Sequence, residues 1–250
     1  SSPHLRPLRI LCIDGGGIRG LIPGLILTQI EEEAKRPLRE MFDLVCGTST
    51  GGIIALGLVV AQLPARKMYE LYLEEGRQVF PSGWNKLRAA KKGYMFDNKN
   101  LKEILQSKLT NPVDGTQFPL LQATKGDALP ATCCFVVAAQ TTCMPSQLYL
   151  FRTYPKPKNG LNGSCECEAR QAGLATSAAP SYFPSVHIGA DEFLDGGIKA
   201  NNPTGVALNE ISSLFPGRAL GCVVSIGTGK ASFQASQAKT VGLADIARKV

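Results

Sequence analysis

The sequence predicts an α/β fold with a mostly parallel central sheet and helices on both faces. Short apolar runs of strand length alternate with longer helical stretches along most of the chain. Such alternation is typical of parallel sheets, because each helix carries the chain back across one face. The 250 residues, 44% of them hydrophobic, suffice for one large domain with a sizeable core. We interpret residues 1–250 as a single domain of a longer protein, since the last residues read as a helix cut short.

The first half of the chain opens with a strand, a glycine-rich loop and a helix. The apolar run Leu8–Ile13 predicts the strand, and residues 21–33 predict the helix, with Pro23 in its first turn. A second strand ends at Cys46, and the uncharged residues 51–63 predict a buried helix. Further elements are predicted as a helix at 64–80, a short helix ending at Leu109 and a strand at 133–139.

The second half continues the same alternation. Its predicted elements are a strand at 147–154, a helix at 168–179, a strand at 191–195, a helix at 201–214 and a last strand at 220–226. The third of these runs into the turn Asp195-Gly196-Gly197, and Asn201-Asn202-Pro203 begin the helix after it.

The net charge of +7 favours anionic partners such as a phospholipid surface or nucleic acid. A small basic cluster and the Pro/Gly/Asn-rich loop 154–163 are candidates for docking to an anionic membrane, although a solvated loop is the simpler explanation of the cluster. The cluster consists of Lys86, Arg88, Lys91 and Lys92. No motif combines aromatic and basic residues, so we expect no nucleic-acid partner.

The cysteine and hydropathy patterns indicate which cellular compartment, metal sites and membrane-spanning helices to expect. Eight cysteines without a C-x-x-C pair, in a chain with two histidines, argue against a zinc site. We expect no metal and no cofactor. No apolar run reaches the roughly 18 residues of a membrane-spanning helix. Reduced thiols fit a cytoplasmic protein that associates peripherally with membranes. The oligomeric state is left undecided.

The most informative stretch is Gly47-Thr48-Ser49-Thr50-Gly51, which lies between a predicted strand and a predicted helix. A serine at such a sharp turn is exposed above the helix N-terminus, where backbone N–H groups favour negative charge. The flanking Gly47 and Gly51 remove side chains that would clash at the turn. This spacing predicts a nucleophilic serine at residue 49.

The glycine loop after the first strand has three competing interpretations. Gly15, Gly17 and Gly20 match a dinucleotide fingerprint, but Glu40, near the distance at which an acidic residue is expected, lies in a polar connection. A Walker loop is excluded because no Gly-Lys-Ser/Thr follows. The third interpretation is an oxyanion hole that serves Ser49. Arg19 then holds the loop or meets a phosphate, or forms an ordinary salt bridge.

Two groups of residues compete as the base for Ser49. A Ser-Asp-His order requires His187, preceded by Asp97, Asp114 or Asp127, because the other histidine, His4, lies at the N-terminus. Asp195 is the better candidate, since it ends an apolar strand. The carboxyl ends of parallel strands meet at one edge of a sheet, so we expect Ser49 and Asp195 to meet there.

Together these residues resemble the patatin-like phospholipase family. The resemblance covers nearly the whole chain and rests on three motifs in order, Asp14-Gly15-Gly16-Gly17-Ile18-Arg19-Gly20, Gly47-Thr48-Ser49-Thr50-Gly51 and Asp195-Gly196-Gly197. Ala178-Ala179-Pro180-Ser181-Tyr182-Phe183 and Asn201-Asn202-Pro203 support it. Asp-Gly-Gly, in place of Asp-Gly-Ala, is closer to the calcium-independent phospholipase A2 branch.

The resemblance implies a Ser–Asp dyad without histidine, with Ser49 as nucleophile and Asp195 as base. It implies an oxyanion hole formed by backbone N–H groups at Gly15, Gly16, Gly17 and Arg19. The expected activity is metal-independent hydrolysis of acyl esters in phospholipids or related lipids at a membrane surface. Transfer of the acyl group to a lipid alcohol and lipid binding with vestigial catalysis remain alternatives.

Overall fold

The fold is built on a single sheet. A computed structural model describes residues 6–79, 93–121 and 129–229. Strands of these residues form the sheet in the order β5-β4-β3-β2-β1-β8, and β6 and β7 form a hairpin attached to β3. The strands are β1 Leu8–Ile13, β2 Leu44–Thr48, β3 Cys133–Gln140, β4 Gln147–Arg152, β5 Gly163–Ser164, β6 Val186–Ile188, β7 Asp191–Asp195 and β8 Leu220–Ile226.

The sheet is mostly parallel, as predicted, but its antiparallel part positions the candidate site. β8, β1, β2 and β3 run parallel to one another, and β4 and β5 form a parallel pair. In contrast, β3 pairs antiparallel with both β4 and β7, and β6 pairs antiparallel with β7. Short turns join the antiparallel pairs β3–β4 and β6–β7, whereas β7 returns to β3 only after β4, β5, a helix and β6.

Helices cover both faces of the sheet, which confirms the predicted architecture. The helices are α1 Leu21–Ala34, α2 Leu38–Met41, α3 Thr50–Val59, α4 Ala65–Glu74, α5 Gly76–Val79, α6 Lys99–Lys108, α7 Ala169–Thr176, α8 Gly197–Ala200 and α9 Thr204–Leu214. Alternate residues of β1 enter two different cores. Leu11 and Ile13 join a core with α3 and α7, while Ile10 and Cys12 join a core with α9. A strand buried on both faces explains the continuous apolar run of β1.

Most predicted elements are confirmed to within a few residues, with three differences. The stretch predicted as one helix at 64–80 is divided at Glu75 into α4 and α5, and the one at 201–214 begins only at Thr204, after Pro203. Strands β5 and β6 and helices α2 and α8 were not predicted, since all four are too short to show a period. The basic cluster from Lys86 to Lys92 lies outside the described residues.

The loop 154–163 joins β4 to β5, and its expected docking to membranes stays a prediction. Tyr154 is fully buried, and the carbonyl of Leu161 accepts a hydrogen bond from Arg152. Near the other end of the loop, Asn162 Nδ2 donates to Oε1 of Gln140, at 2.9 Å, at the end of β3 where β7 pairs. Both ends of the loop are therefore anchored to the core.

Two strands meet end to end along one edge of β3. β2 covers that edge from Cys133 to Val137, and β7 covers it from Ala138 to Gln140 in the opposite direction. The other edge is occupied by β4. The first residue after β2 therefore faces the last residue of β7, and these are Ser49 and Asp195.

Candidate active site

Ser49 lies at a sharp turn between β2 and α3. Its φ of 54° and ψ of −122° place a non-glycine residue in a backbone region that side chains disfavour. The turn is tight: a Cβ at Gly47 would overlap the Gly51 carbonyl, and a Cβ at Gly51 would overlap the Ile13 carbonyl. The glycine spacing is therefore a packing requirement of the turn, as the sequence predicts.

A buried threonine holds the backbone of this turn. The Ser49 N–H donates a hydrogen bond to Oγ1 of Thr176, at 2.9 Å. The Thr176 hydroxyl in turn donates to the carbonyl of Val137, at 2.5 Å, and its side chain is fully buried. Because Thr176 ends α7, this chain of hydrogen bonds ties the strained turn to a helix and to β3. The sequence carries no signal for this role, since Thr176 stands among ordinary small helix formers.

The expected meeting of Ser49 and Asp195 is confirmed, although by a different route. The Ser49 hydroxyl donates to Oδ2 of Asp195 at 2.6 Å, and the Gly197 N–H donates to Oδ1 at 2.7 Å. The sequence argument assumed that both strands are parallel. Instead β7 runs antiparallel to β3 and occupies the same edge of β3 as β2. The last residue of β7 therefore lies beside Ser49, which directly follows β2.

The environment of Asp195 suits a base. The residue is only 6% exposed, and its oxygens accept hydrogen bonds from a hydroxyl and a backbone N–H, both of them neutral donors. Burial raises the pKa of Asp195 to about 6, and the hydrogen bonds from Ser49 and Gly197 oppose this rise in pKa. Such a carboxylate is ionised at neutral pH, yet it is a better base than an exposed aspartate.

The rival triad is not assembled. His187, on β6, is largely exposed at 70% of its side chain and lies 3.9 Å from Glu192, while Ser49 donates to Asp195. Asp114 lies in an exposed turn, where its carboxylate accepts from Thr116. Asp127 and His4 lie outside the described residues. The hypothesis of a triad through His187 is therefore wrong for the described geometry.

The glycine loop leaves two of its four expected N–H donors open. The Gly15 N–H donates to the carbonyl of Asn201 and the Arg19 N–H donates to that of Gly16, each at 3.1 Å. Within the described ranges, the N–H groups of Gly16 and Gly17 have no acceptor. The expected oxyanion hole is corrected accordingly: Gly15 and Arg19 are already engaged, and Gly16 and Gly17 remain.

Two side chains, Thr228 and Asn201, hold the glycine loop through its Gly15 carbonyl, and we call this pair the clamp. The carbonyl of Gly15 accepts hydrogen bonds from Thr228 Oγ1, at 2.8 Å, and from Asn201 Nδ2, at 3.3 Å. A Cβ at Gly15 would overlap Asn201, and a Cβ at Gly16 would overlap Thr228. Sequence reasoning missed Thr228, whose only signal is its place in a Gly-Thr-Gly turn after the last strand. The two hydrogen bonds fix the peptide group that carries the Gly16 N–H, one of the two open donors.

Neither a metal centre nor a membrane-spanning helix is evident in the part of the chain that the structure describes. No group of three or more histidine, cysteine or acidic side chains there could hold a metal ion. No helix among those residues is long and apolar enough to cross a bilayer.

Comparisons with known proteins agree with this geometry. The family profile described as patatin-like phospholipase matches residues 11–208. The chain is 31% identical to calcium-independent phospholipase A2-gamma of Mus musculus, over 90% of this chain and 29% of that protein. It is 33% identical to a cGAMP-activated phospholipase of Pseudomonas aeruginosa, over 88% of this chain and 62% of that protein.

Among solved structures, VipD from Legionella pneumophila matches 79% of this chain and 47% of its own, with a TM-score of 0.46 and 13% identity. The chain thus spans less than two thirds of the length of each of these relatives. With the family profile matched over most of its length, the chain belongs to the patatin-like phospholipase family.

Proposed function

We propose that this chain carries the catalytic domain of a lipid acyl hydrolase that cleaves acyl esters of phospholipids through Ser49 and Asp195. The observation that carries the proposal is the 2.6 Å hydrogen bond from the Ser49 hydroxyl to a buried carboxylate, at the tip of a strained turn. A hydroxyl becomes a nucleophile when a base is held within hydrogen-bond distance. Membership in the patatin-like phospholipase family supports an acyl lipid as substrate.

In the proposed first half-reaction, Asp195 removes the hydroxyl proton as Ser49 Oγ attacks the ester carbonyl carbon. Negative charge develops on the carbonyl oxygen and is accepted by the open N–H groups of Gly16 and Gly17. In comparable sites, each such donor contributes about 3–4 kcal/mol to the transition state. Asp195 then returns the proton to the departing lysophospholipid alcohol, which leaves the acyl group esterified to Ser49.

In the second half-reaction, Asp195 activates a water molecule that attacks the acyl-enzyme. Its proton passes to Asp195 and from there to Ser49 Oγ as the fatty acid leaves. The same pair of residues therefore serves both steps without a histidine. We propose that neither step needs a metal ion, and that the substrate lies in a membrane surface that the domain meets peripherally.

The test is fatty-acid release from phospholipid vesicles in the presence of EDTA. Wild type is compared with Ser49→Ala and Asp195→Asn, and we expect both variants to lose at least about 10²-fold in rate. Asp114→Asn is the matched control, since it neutralises an exposed aspartate away from Ser49, and we expect it to keep wild-type activity.

Two results would contradict the proposal. Asp195→Asn with full activity would place the base elsewhere, and loss of wild-type activity in EDTA would require a metal. Adding a lipid alcohol and analysing the products separates hydrolysis from acyl transfer, which would yield a new ester in place of free fatty acid.

A further inference from the structure

One face of helix α1 exposes apolar side chains next to the candidate site. Ile18, Ile22, Leu25 and Ile26 are each between 38% and 44% exposed, and we call these four residues the α1 apolar face. Ile22, Leu25 and Ile26 lie on one side of α1, and Ile18 lies in the 3-10 turn Gly17–Gly20 that leads directly into this helix. Soluble surfaces normally scatter large apolar side chains singly, so four within nine residues require an explanation.

The α1 apolar face begins at the glycine loop, and further along α1 the exposed side chains on the same side are polar. Ile18 directly follows Gly17, one of the two open N–H donors, and α1 then runs away from the loop. Two turns further along, the exposed positions on this side are Gln29 and Glu33, which are polar. An apolar end near the site and a polar end away from it suit a helix that enters a lipid interface by its first two turns, about 5–10 Å deep.

The other side of the dyad repeats the pattern on a smaller scale. Ile198, three residues after Asp195, is 49% exposed. Two of the exposed isoleucines are directly followed by an exposed cation, Ile18 by Arg19 and Ile198 by Lys199. Over the described ranges, neither cation takes part in an ion pair. Apolar side chains beside unpaired cations match a surface whose interior is apolar and whose head groups are anionic.

The turn between β3 and β4 extends past the same edge of the sheet. Ala138 of β3 pairs with Asp195, and the chain continues beyond it to Met144, which is 92% exposed. Exposed apolar groups on three separate segments thus lie towards this edge, with Met144 the farthest from the dyad along β7, since Thr141 and Thr142 are hydrogen-bonded to Glu192. Val113 is nearly as exposed, at 90%, but its loop joins α7 at Glu168, the end of that helix remote from Ser49.

We propose that this edge, formed by the α1 apolar face, Ile198 and Met144 with Arg19 and Lys199, is the surface by which the domain docks on an anionic phospholipid bilayer. The inference rests on the proposed function, because it places the open N–H groups of Gly16 and Gly17 against the layer that holds the ester. A second copy of the chain is disfavoured as occupant, since self-association would bring the unpaired cations of both copies together.

The first experiment measures binding to phosphatidylcholine vesicles with and without phosphatidylserine. We expect wild type to prefer the vesicles with phosphatidylserine. Ile22→Ser/Leu25→Ser should weaken binding by about tenfold or more, since two apolar side chains no longer leave water. Lys199→Gln should weaken binding only where phosphatidylserine is present. Hydrolysis of p-nitrophenyl butyrate, a water-soluble ester, should be unchanged in the double variant.

The second experiment uses two matched single variants. Met144→Ser should weaken vesicle binding, and Val113→Ser should not, although the two side chains are almost equally exposed. Equal effects of both, or wild-type binding by Ile22→Ser/Leu25→Ser with its thermal unfolding unchanged, would overturn the proposal. A wild-type dimer that the double variant converts to a monomer would assign the face to a second copy instead.

The two proposals fail in different ways. If wild type binds vesicles through this edge but hydrolyses neither lipid nor p-nitrophenyl butyrate, the docking surface stands and the catalytic proposal falls. If it hydrolyses both esters while the double variant binds vesicles as wild type does, the catalytic proposal stands and the docking surface falls.

Discussion

Two buried carboxylates in this domain have opposite surroundings. Glu210, on α9, is fully buried and receives two hydrogen bonds from the guanidinium of Arg152, at 2.6 and 3.0 Å, and one from the hydroxyl of Tyr154. Asp195 is almost as buried, but its donors are the hydroxyl of Ser49 and the N–H of Gly197. One carboxylate is neutralised by a cation, and the other is held by neutral dipoles.

The difference separates a structural group from a reactive one. The buried carboxylate of Glu210 is compensated by the opposite charge of the Arg152 guanidinium, which holds it in place as part of the core. Without a cation, Asp195 has a pKa raised by burial to about 6, so it can accept a proton from Ser49 and release it again near neutral pH. Burial alone does not point to a catalytic carboxylate, whereas burial beside Ser49, with no cation next to the carboxylate among the described residues, supports the role proposed for Asp195.

The largest effect is expected from breaking the ion pair. Glu210→Gln leaves the fully buried Arg152 without a counter-charge, and we expect a loss of about 3–5 kcal/mol in the free energy of unfolding. Urea denaturation measures this loss. The double variant Arg152→Met/Glu210→Leu should recover most of it. Hydrolysis by the folded fraction of Glu210→Gln should stay near wild type, and a selective loss of activity would break the comparison.

Asp195→Asn should have the opposite effect on stability. The pKa of Asp195 is higher in the folded state than in the unfolded chain, so the folded state binds more protons between about pH 4 and 6 and wild type loses stability as pH rises through that window. Two pKa units correspond to about 3 kcal/mol, and we expect Asp195→Asn to be stabilised by up to that amount above pH 7.

Thermal or urea unfolding of both proteins at several pH values measures this gain. It should shrink as pH falls from 6 towards 4, because the wild-type carboxyl is protonated in the folded state below about pH 6 and in the unfolded chain only below its ordinary pKa of 3.8. An Asp195→Asn variant that is less stable than wild type at pH 8 would show that the buried charge is better compensated than its hydrogen bonds indicate.

The pH profile sharpens the same comparison through activity. Because Asp195 must be ionised to act as a base, kcat/KM should fall about tenfold per pH unit below a pKa of about 6 and level off above pH 7. A water-soluble ester avoids pH effects on vesicle binding. A profile that is flat from pH 5 to 8 would contradict the assignment of Asp195 as base.

The smallest effect is expected at the clamp behind the glycine loop. Thr228→Val removes the hydroxyl that donates to the Gly15 carbonyl. Because the N–H groups of Gly16 and Gly17 are then less well oriented towards the carbonyl oxygen of the substrate, we expect kcat to fall about tenfold with KM nearly unchanged. Thr228→Ser retains the hydroxyl and should restore the rate. If both variants lose stability but keep kcat, Thr228 serves only the fold.

Local patterns in the sequence were sufficient for the elements that make the site. The strand β1, the glycine loop, α1 and the turn at Ser49 follow from apolar runs and glycine spacing, which need only nearby residues. The catalytic roles of Ser49 and Asp195 stay predictions, whereas their contact is confirmed.

Features that depend on distant contacts could not be predicted. The contact between Ser49 and the end of β7 depends on which edge of β3 is paired with β7. No local sequence pattern determines that pairing. The hydroxyls of Thr176 and Thr228 act on residues more than 100 positions away in sequence. A distant contact also explains why Gly15 is lost from the predicted set of oxyanion-hole donors. Its N–H donates to the carbonyl of Asn201, which is far away in sequence.

The strained backbone of Ser49 has a consequence for the evolution of this domain. A glycine adopts a positive φ without penalty, so replacing Ser49 by glycine would relieve strain as it removed the proposed nucleophile. Selection for a stable fold alone therefore works against the serine, and selection for chemistry must continually oppose it. Under the proposed function, a descendant that no longer needs the activity would accumulate substitutions that make the fold more stable. A descendant that keeps the serine would therefore be one in which activity is still selected.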